Sequence, residues 1–197
     1  NIIKLLKNKN HNVYVVSRNK EVSNSLLDSY HIDYKNIAPT HSGNLIDKIF
    51  FTSILMMNLI RFLKQKDADL FLTTFAPFCS FPGAITSTKT IAFTDAEHAA
   101  YYSKISLPYI DKLFTPNSFR LDFGSKHKKY NGYKELTYLS PKYFNSNLRI
   151  LEKLNINIGE NYYLIRAVNR TALENLNNYG LSYQNIYHLI SLLEKKG

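Results

Sequence analysis

The chain has 197 residues, 45% of them hydrophobic, and carries a formal net charge of +10. That length and apolar content are enough to bury a core, exclude a disordered tail, and fit one domain with a piece of a second. A single cysteine, Cys79, excludes an internal disulfide and fits a reducing compartment, with the thiol as a small buried apolar group.

Residues 2–6 place Ile2, Ile3, Leu5 and Leu6 at helical spacing, broken by Lys4 and Lys7, and do not read as a signal peptide. Residues 12–18 (NVYVVSR) read as a buried strand, 20–30 (KEVSNSLLDSY) as a helix and 33–37 as a short strand, closed by a loop with Pro39 and Gly43. A long helix is predicted over 45–66; its apolar run, 49–60 (IFFTSILMMNLI), is shorter than the roughly 20 residues a membrane span needs. That run is expected to be buried or to lie at an interface.

The alternation then repeats. Strands are predicted over 69–75 (DLFLTTF), 89–93 (KTIAF), 111–116 (DKLFTP) and 127–133 (HKKYNGY), with helices up to Ile85, over 97–105 (EHAAYYSKI) and in a short piece ending near Gly124. Near-continuous apolar strands alternating with helices imply a doubly wound α/β domain with a parallel sheet covered on both faces. This first domain is expected over 1–140, with its first strand missing; 141–160 is a linker bearing a short helix at 148–154. A strand over 161–168 (NYYLIRAV) and an amphipathic helix over 181–197, with Ser182 as cap and Gly197 as stop, read as the start of a second, truncated α/β domain at 161–197.

The basic run 125–134 (SKHKKYNGYK) interleaves tyrosines as a single-strand nucleic-acid surface does, but reads better as a strand edge protected by lysines. Lysine also far outnumbers arginine, beside many Asn, Ile, Tyr and Phe, so codon bias accounts for part of the charge. Nucleic acid is therefore not the expected partner; a phosphorylated small molecule, or peripheral contact with an anionic membrane, fits the sign equally well.

No GxxxxGK[ST] loop, HExxH or paired CxxC is present, so chemistry has to be read from position. In an open parallel sheet ligands bind beyond the carboxyl ends of the strands, where helix N-termini favour anions. The loops concerned hold Ser17 and Arg18, residues 40–44 with His41, residues 73–77 with Thr73, residues 94–98, and the turn 131–135 with Asn131 and Glu135. Gly132 is expected to supply a tight turn there, and Glu135 either a cap for the helix behind it or a site group.

The stretch 93–101 (FTDAEHAAY) is the densest in titratable groups. Thr94 as N-cap and Glu97 folding back to its backbone fit a capping box, and Asp95 suits the helix dipole. His98 is unexplained by that reading and is expected to be neutral, since a helix N-terminus disfavours a cation. A metal is not expected, because Glu97 and His98 would diverge by about 100° around a helix. Cap and catalytic cluster both remain open. Arg166, charged within an apolar strand, either ends at a solvated edge or meets a phosphate or carboxylate.

The order and spacing of HNVYVVSRNKEVSNSLLDSYHIDY, IAFTDAEHA, DKLFTP, HKKYNGYKELTYLSPKYF, YYLIRAV and GLSYQNIYHLISLLEKKG resemble the DUF354 family. The resemblance implies a Rossmann-like, GT-B type fold of two domains facing a cleft, similar to lipid-linked glycosyltransferases and to sugar-nucleotide 2-epimerases. It implies an enzyme that needs no metal or other cofactor and takes a nucleotide sugar and an acceptor; the expected place is the cytoplasm, with peripheral membrane contact left open by the charge. Glu97, which matches an epimerase active-site glutamate, or His98 would act as base, Asp95 would orient it, and Arg18, His41, Thr73, Asn131, Glu135 and Arg166 would bind substrate. The rival expectations are an epimerase and a non-catalytic binding protein of the same fold. Where the family has Trp-Asp-Ala and a His-Asp pair, this chain has Arg170, Thr171 and Ala172, then Glu174 and Asn175.

Overall fold

The computed structural model describes residues 1–18, 22–38, 45–97, 103–166 and 181–195. The chain divides into two units, Asn1–Phe144 and Asn145–Gly197. In the first unit the order is α1 (Ile2–Asn8), β1 (Val16–Arg18), α2 (Ser23–Ser29), β2 (Lys35–Ala38), α3 (Leu45–Lys66), β3 (Leu70–Thr74), α4 (Pro77–Ile85), β4 (Lys89–Phe93), α5 (Ser103–Ser106), β5 (Lys112–Pro116), β6 (His127–Tyr130) and α6 (Leu136–Leu139).

All the ladders are parallel. β1 pairs with β2, and a second sheet runs β3-β4-β5-β6. Parallel neighbours cannot be joined by a tight hairpin, so each connection must cross over, and the helices between strands are the result. The expected mixed α/β architecture with a parallel sheet is present.

Leu55, Leu59 and Leu63 recur every four residues along α3 and form one stripe. They pack with Ile37 and Ala38 of β2 and Phe71 of β3, so the two sheets share a single buried cluster. A second cluster joins Phe75, Ala92, Ile110 and Leu113 around the centre of the larger sheet.

Two polar devices fix the larger sheet. Asp111 accepts the Thr90 N–H at 2.7 Å through its carboxylate and donates its own N–H to the Thr90 carbonyl at 2.9 Å, which sets the start of β5 against β4. His127 is buried, with Nε2 2.8 Å from Thr115 Oγ1 and Nδ1 accepting the Phe123 N–H at 3.2 Å. The N–H aimed at Nδ1 selects the tautomer with its proton on Nε2, donated to Thr115. One ring thus ties β5, β6 and the loop between them.

Several boundaries depart from those predicted. β1 covers only the last three residues of the expected strand, because its partner β2 offers a ladder only from Lys35 to Ala38, and the register slips between Ser17 and Arg18. The piece expected to end near Gly124 is a 3-10 turn that begins there, Gly124–Lys126, at a φ of +78°. β6 ends at Tyr130; residues 131–132 form a bend and Tyr133 belongs to no regular element.

In the second unit, α7 is Arg149–Lys153 and α8 is Tyr183–Glu194. Ser182 caps α8 as predicted, its side chain accepting the Asn185 N–H at 3.1 Å; the expected stop, Gly197, lies outside the described residues. The strand expected over 161–168 is not formed in its described part: residues 161–166 are irregular and exposed. A parallel strand needs a neighbour for its backbone groups, and no ladder exists among the described residues of this unit. Arg166 therefore sits in exposed irregular chain.

Candidate active site

The carboxyl end of β4 leads into Thr94, Asp95, Ala96 and Glu97. Thr94 donates its N–H to the Phe114 carbonyl at 3.1 Å, continuing the β4–β5 pairing, and its hydroxyl accepts the Ala96 N–H at 3.2 Å. The reciprocal half of the expected capping box is absent. Residues 94–96 are not helical, so Glu97 does not occupy the third position of a helix. Its Oε1 instead accepts the Arg120 N–H at 2.8 Å, fastening this loop to the loop after β5. Glu97 faces another strand's loop, not its own backbone.

Asp95 reaches the other way. Its Oδ2 lies 2.5 Å from Lys134 Nζ, in the loop after β6, and Glu135 Oε1 lies 3.9 Å from the same ammonium. The chain reaches this position because Gly132 takes a φ of +154°, a conformation open to glycine. Burial pulls the Lys134 ammonium down, but the hydrogen bond and charge of Asp95, then Glu135 and Tyr130, outweigh it and hold its pKa above the usual lysine value. Burial, then the charges of Asp95 and Glu135, push the Tyr130 phenol up, against the opposing effect of Lys134.

Of the two roles left open for Glu135, the cap is not formed. It stands at the N-cap of α6, but its backbone is already helical (φ −63°, ψ −32°) and its side chain makes no capping bond. A capping side chain needs the extended backbone that turns it back over the helix end. Asn131 is exposed in the adjoining turn.

Arg18 and Thr73 lie elsewhere, each beside the start of α4. The Arg18 guanidinium lies 5.7 Å from the centre of the Phe78 ring. Cys79 is buried there as predicted, 3.9 Å from Thr74 Oγ1. Burial pushes its thiol up, with hydrogen bonds to Thr73 and Thr74 and the charge of Arg18 acting in the opposite direction.

The expected site residues therefore separate into groups. Asp95, Glu97, Asn131 and Glu135 belong to the loops after β4 and β6, Arg18 and Thr73 to the start of α4, and Arg166 to the second unit. His41, His98 and residues 170–175 lie outside the described residues. Sequence reasoning named the 131–135 turn but passed over Lys134 itself, and it passed over the Arg120 N–H altogether. The signal for Lys134 was available: loops at the carboxyl ends of β4 and β6 flank the end of β5, so unlike charges in them can pair. Among the described residues no group of three or more His, Cys, Asp or Glu side chains is placed to hold a metal ion. Chemically, the edge offers a fixed carboxylate, Glu97, beside an acid–lysine–acid arrangement.

Parallel strands joined through crossover helices, with polar loops gathered at their carboxyl ends, define an open parallel α/β fold. The structure matches the crystal structure of Acinetobacter baumannii MurG, a GT-B glycosyltransferase, with a TM-score of 0.51 and 14% sequence identity. The match covers 69% of this chain and 41% of that one, so the chain spans less than half the length of its structural relative. At that identity the likeness is one of fold. Residues 1–179 match the model of the family described as a protein of unknown function, DUF354, and the chain belongs to that family. No curated protein matches it.

Proposed function

We propose that this chain forms part of a cytoplasmic glycosyltransferase-like enzyme acting on a nucleotide-activated sugar, in the synthesis of surface polysaccharide or glycolipid. The observation that carries this reading is the pair of carboxylates held at the carboxyl edge of the parallel sheet: Glu97 anchored to the Arg120 N–H, and Asp95 to Lys134. The glycosyltransferase-like fold and the net charge of +10, which suits an anionic donor, support it.

In the proposed step the Glu97 carboxylate takes the proton of an acceptor hydroxyl as that oxygen bonds to the anomeric carbon of the donor. The bond from that carbon to the diphosphate oxygen breaks, and the nucleoside diphosphate leaves with the bonding pair. His98, adjacent in sequence, is the second candidate for the base. Asp95 orients the loop through its lysine bridge, while Lys134 supplies positive charge to the leaving diphosphate, and Arg18, in the separate group at the start of α4, is a further substrate-binding candidate. Asn131, Glu135, Thr73, His41 and Arg166 are the remaining substrate-binding candidates. The nucleotide sugar is substrate, and the reading calls on no separate cofactor.

The test uses the full-length protein, UDP-N-acetylglucosamine and a hydroxyl acceptor. Glu97→Gln keeps an oxygen for the Arg120 N–H, so it should preserve the melting temperature while abolishing turnover. Retained turnover in that variant would remove Glu97 from the chemistry. Conversion of the donor to its epimer without an acceptor would replace transferase with epimerase, and no donor turnover by the wild type would leave only a binding role.

A further inference from the structure

The outward face of α3 changes character along its length. With Leu55, Leu59 and Leu63 turned to the core, the opposite side carries Phe50, Ser53, Met57, Arg61 and Lys64, within a sector of about 80° at 100° per residue, and Ile49 borders it. Ile49, Phe50 and Met57 are 63%, 68% and 51% exposed. Single exposed apolar residues need no explanation, but these lie along one side of one helix, and the same face becomes cationic one turn beyond Met57. The acid on this helix, Asp47, already has a partner within the molecule.

We propose that α3 docks on an anionic bilayer surface. Ile49, Phe50 and Met57 enter the boundary between headgroups and acyl chains, and the long stems of Arg61 and Lys64 carry their charges to lipid phosphates. Charge selects this occupant: the patch ends in cations on a chain of net charge +10, which a negatively charged leaflet attracts. The helix lies on the surface rather than crossing it, since among the described residues no helix is long and apolar enough to span a membrane. The inference does not depend on sugar transfer.

Vesicle co-sedimentation of the full-length protein, without sugar nucleotide, tests it. Vesicles of phosphatidylcholine with phosphatidylglycerol should pellet the protein, and phosphatidylcholine alone should not. Arg61→Gln with Lys64→Gln should lower partitioning by roughly 30-fold. Phe50→Ser should lower it by about tenfold, while the exposed position leaves the melting temperature unchanged. Equal binding to both vesicle types, no binding to either, or binding indifferent to these substitutions would overturn the proposal. So would a wild-type dimer in lipid-free buffer that Phe50→Ser converts to monomer, because the face would then join two copies.

Discussion

Lys134 Nζ sits 2.5 Å from Asp95 Oδ2 and so joins the loop after β4 to the loop after β6 across the end of β5. The side chains are 58% and 38% exposed, which places this pair among surface bridges worth about 0–1 kcal/mol. Asp95→Asn is expected to lower unfolding stability by no more than about 1 kcal/mol, and by less in high salt, as read from urea transitions. The raised Lys134 pKa gives the sign with pH. Its contribution is complete below the unfolded lysine value of about 10.4 and is lost as pH rises through the folded value. The gap between wild type and Asp95→Asn should therefore close on the alkaline side.

This bridge also marks the limit of what the sequence made legible. KTIAF predicted β4 at its observed bounds, and the apolar periodicity of 45–66 predicted α3, because both signals are local. The parallel-sheet rule pointed to the loops at the carboxyl ends of the strands, and Asp95 and Lys134, from two of them, meet there. Which side chains pair across that edge depends on contacts between distant residues, and no local pattern encodes them. Thr94 to Glu97 has the composition of a capping box, yet the carboxylate goes to an N–H 23 residues away. NYYLIRAV has strand composition, yet without a ladder partner among the described residues its described part stays irregular. Sequence supplies propensity, while pairing needs a neighbour.

Gly83 is where α4 closes on β4. A Cβ added there would come within 1.9 Å of Thr90 Oγ1, and Thr90 is buried with little room to move. Gly83→Ala is expected to cost about 1–3 kcal/mol in denaturant unfolding. Combining it with Thr90→Ala should cost less than the sum of the two single changes, because the second removes the clashing oxygen.

His127→Ala should be among the most damaging single changes to the larger sheet, at about 2 kcal/mol or more, since it leaves the buried Thr115 hydroxyl and the Phe123 N–H without partners. Asp122 lies 3.3 Å from His127 Nδ1. Its carboxyl pKa is held low first by the Gly124 N–H and then by the hydrogen bond and charge of His127 and the charge of Lys129, against burial. In the tautomer set by Phe123, Nδ1 cannot also donate to Asp122, so the Gly124 N–H is the cause that stands. A depressed carboxylate contributes stability above its unfolded value of about 3.9, lost as pH falls through the folded one. Asp122→Asn should flatten the acid limb of stability below about pH 4 in a pH series of thermal melts.

Cys79 should resist alkylation while the protein is folded. It is buried, and burial raises its pKa, so the reactive thiolate is both scarce and shielded. Iodoacetamide labelling followed by mass spectrometry should show modification rising with urea along the unfolding transition. Rapid labelling in native buffer would contradict the buried placement.

In the larger sheet, spatial order and chain order coincide: β3, β4, β5, β6. Every ladder is parallel, so none can close until its crossover has been built, and Leu70 must wait for Lys89 as Ile91 waits for Lys112. Loop-closure entropy precedes each gain, a condition that slows folding. The same order suits a polypeptide that emerges from its amino end. Each new strand finds its template already complete, and the sheet extends at a single growing edge in the direction of synthesis.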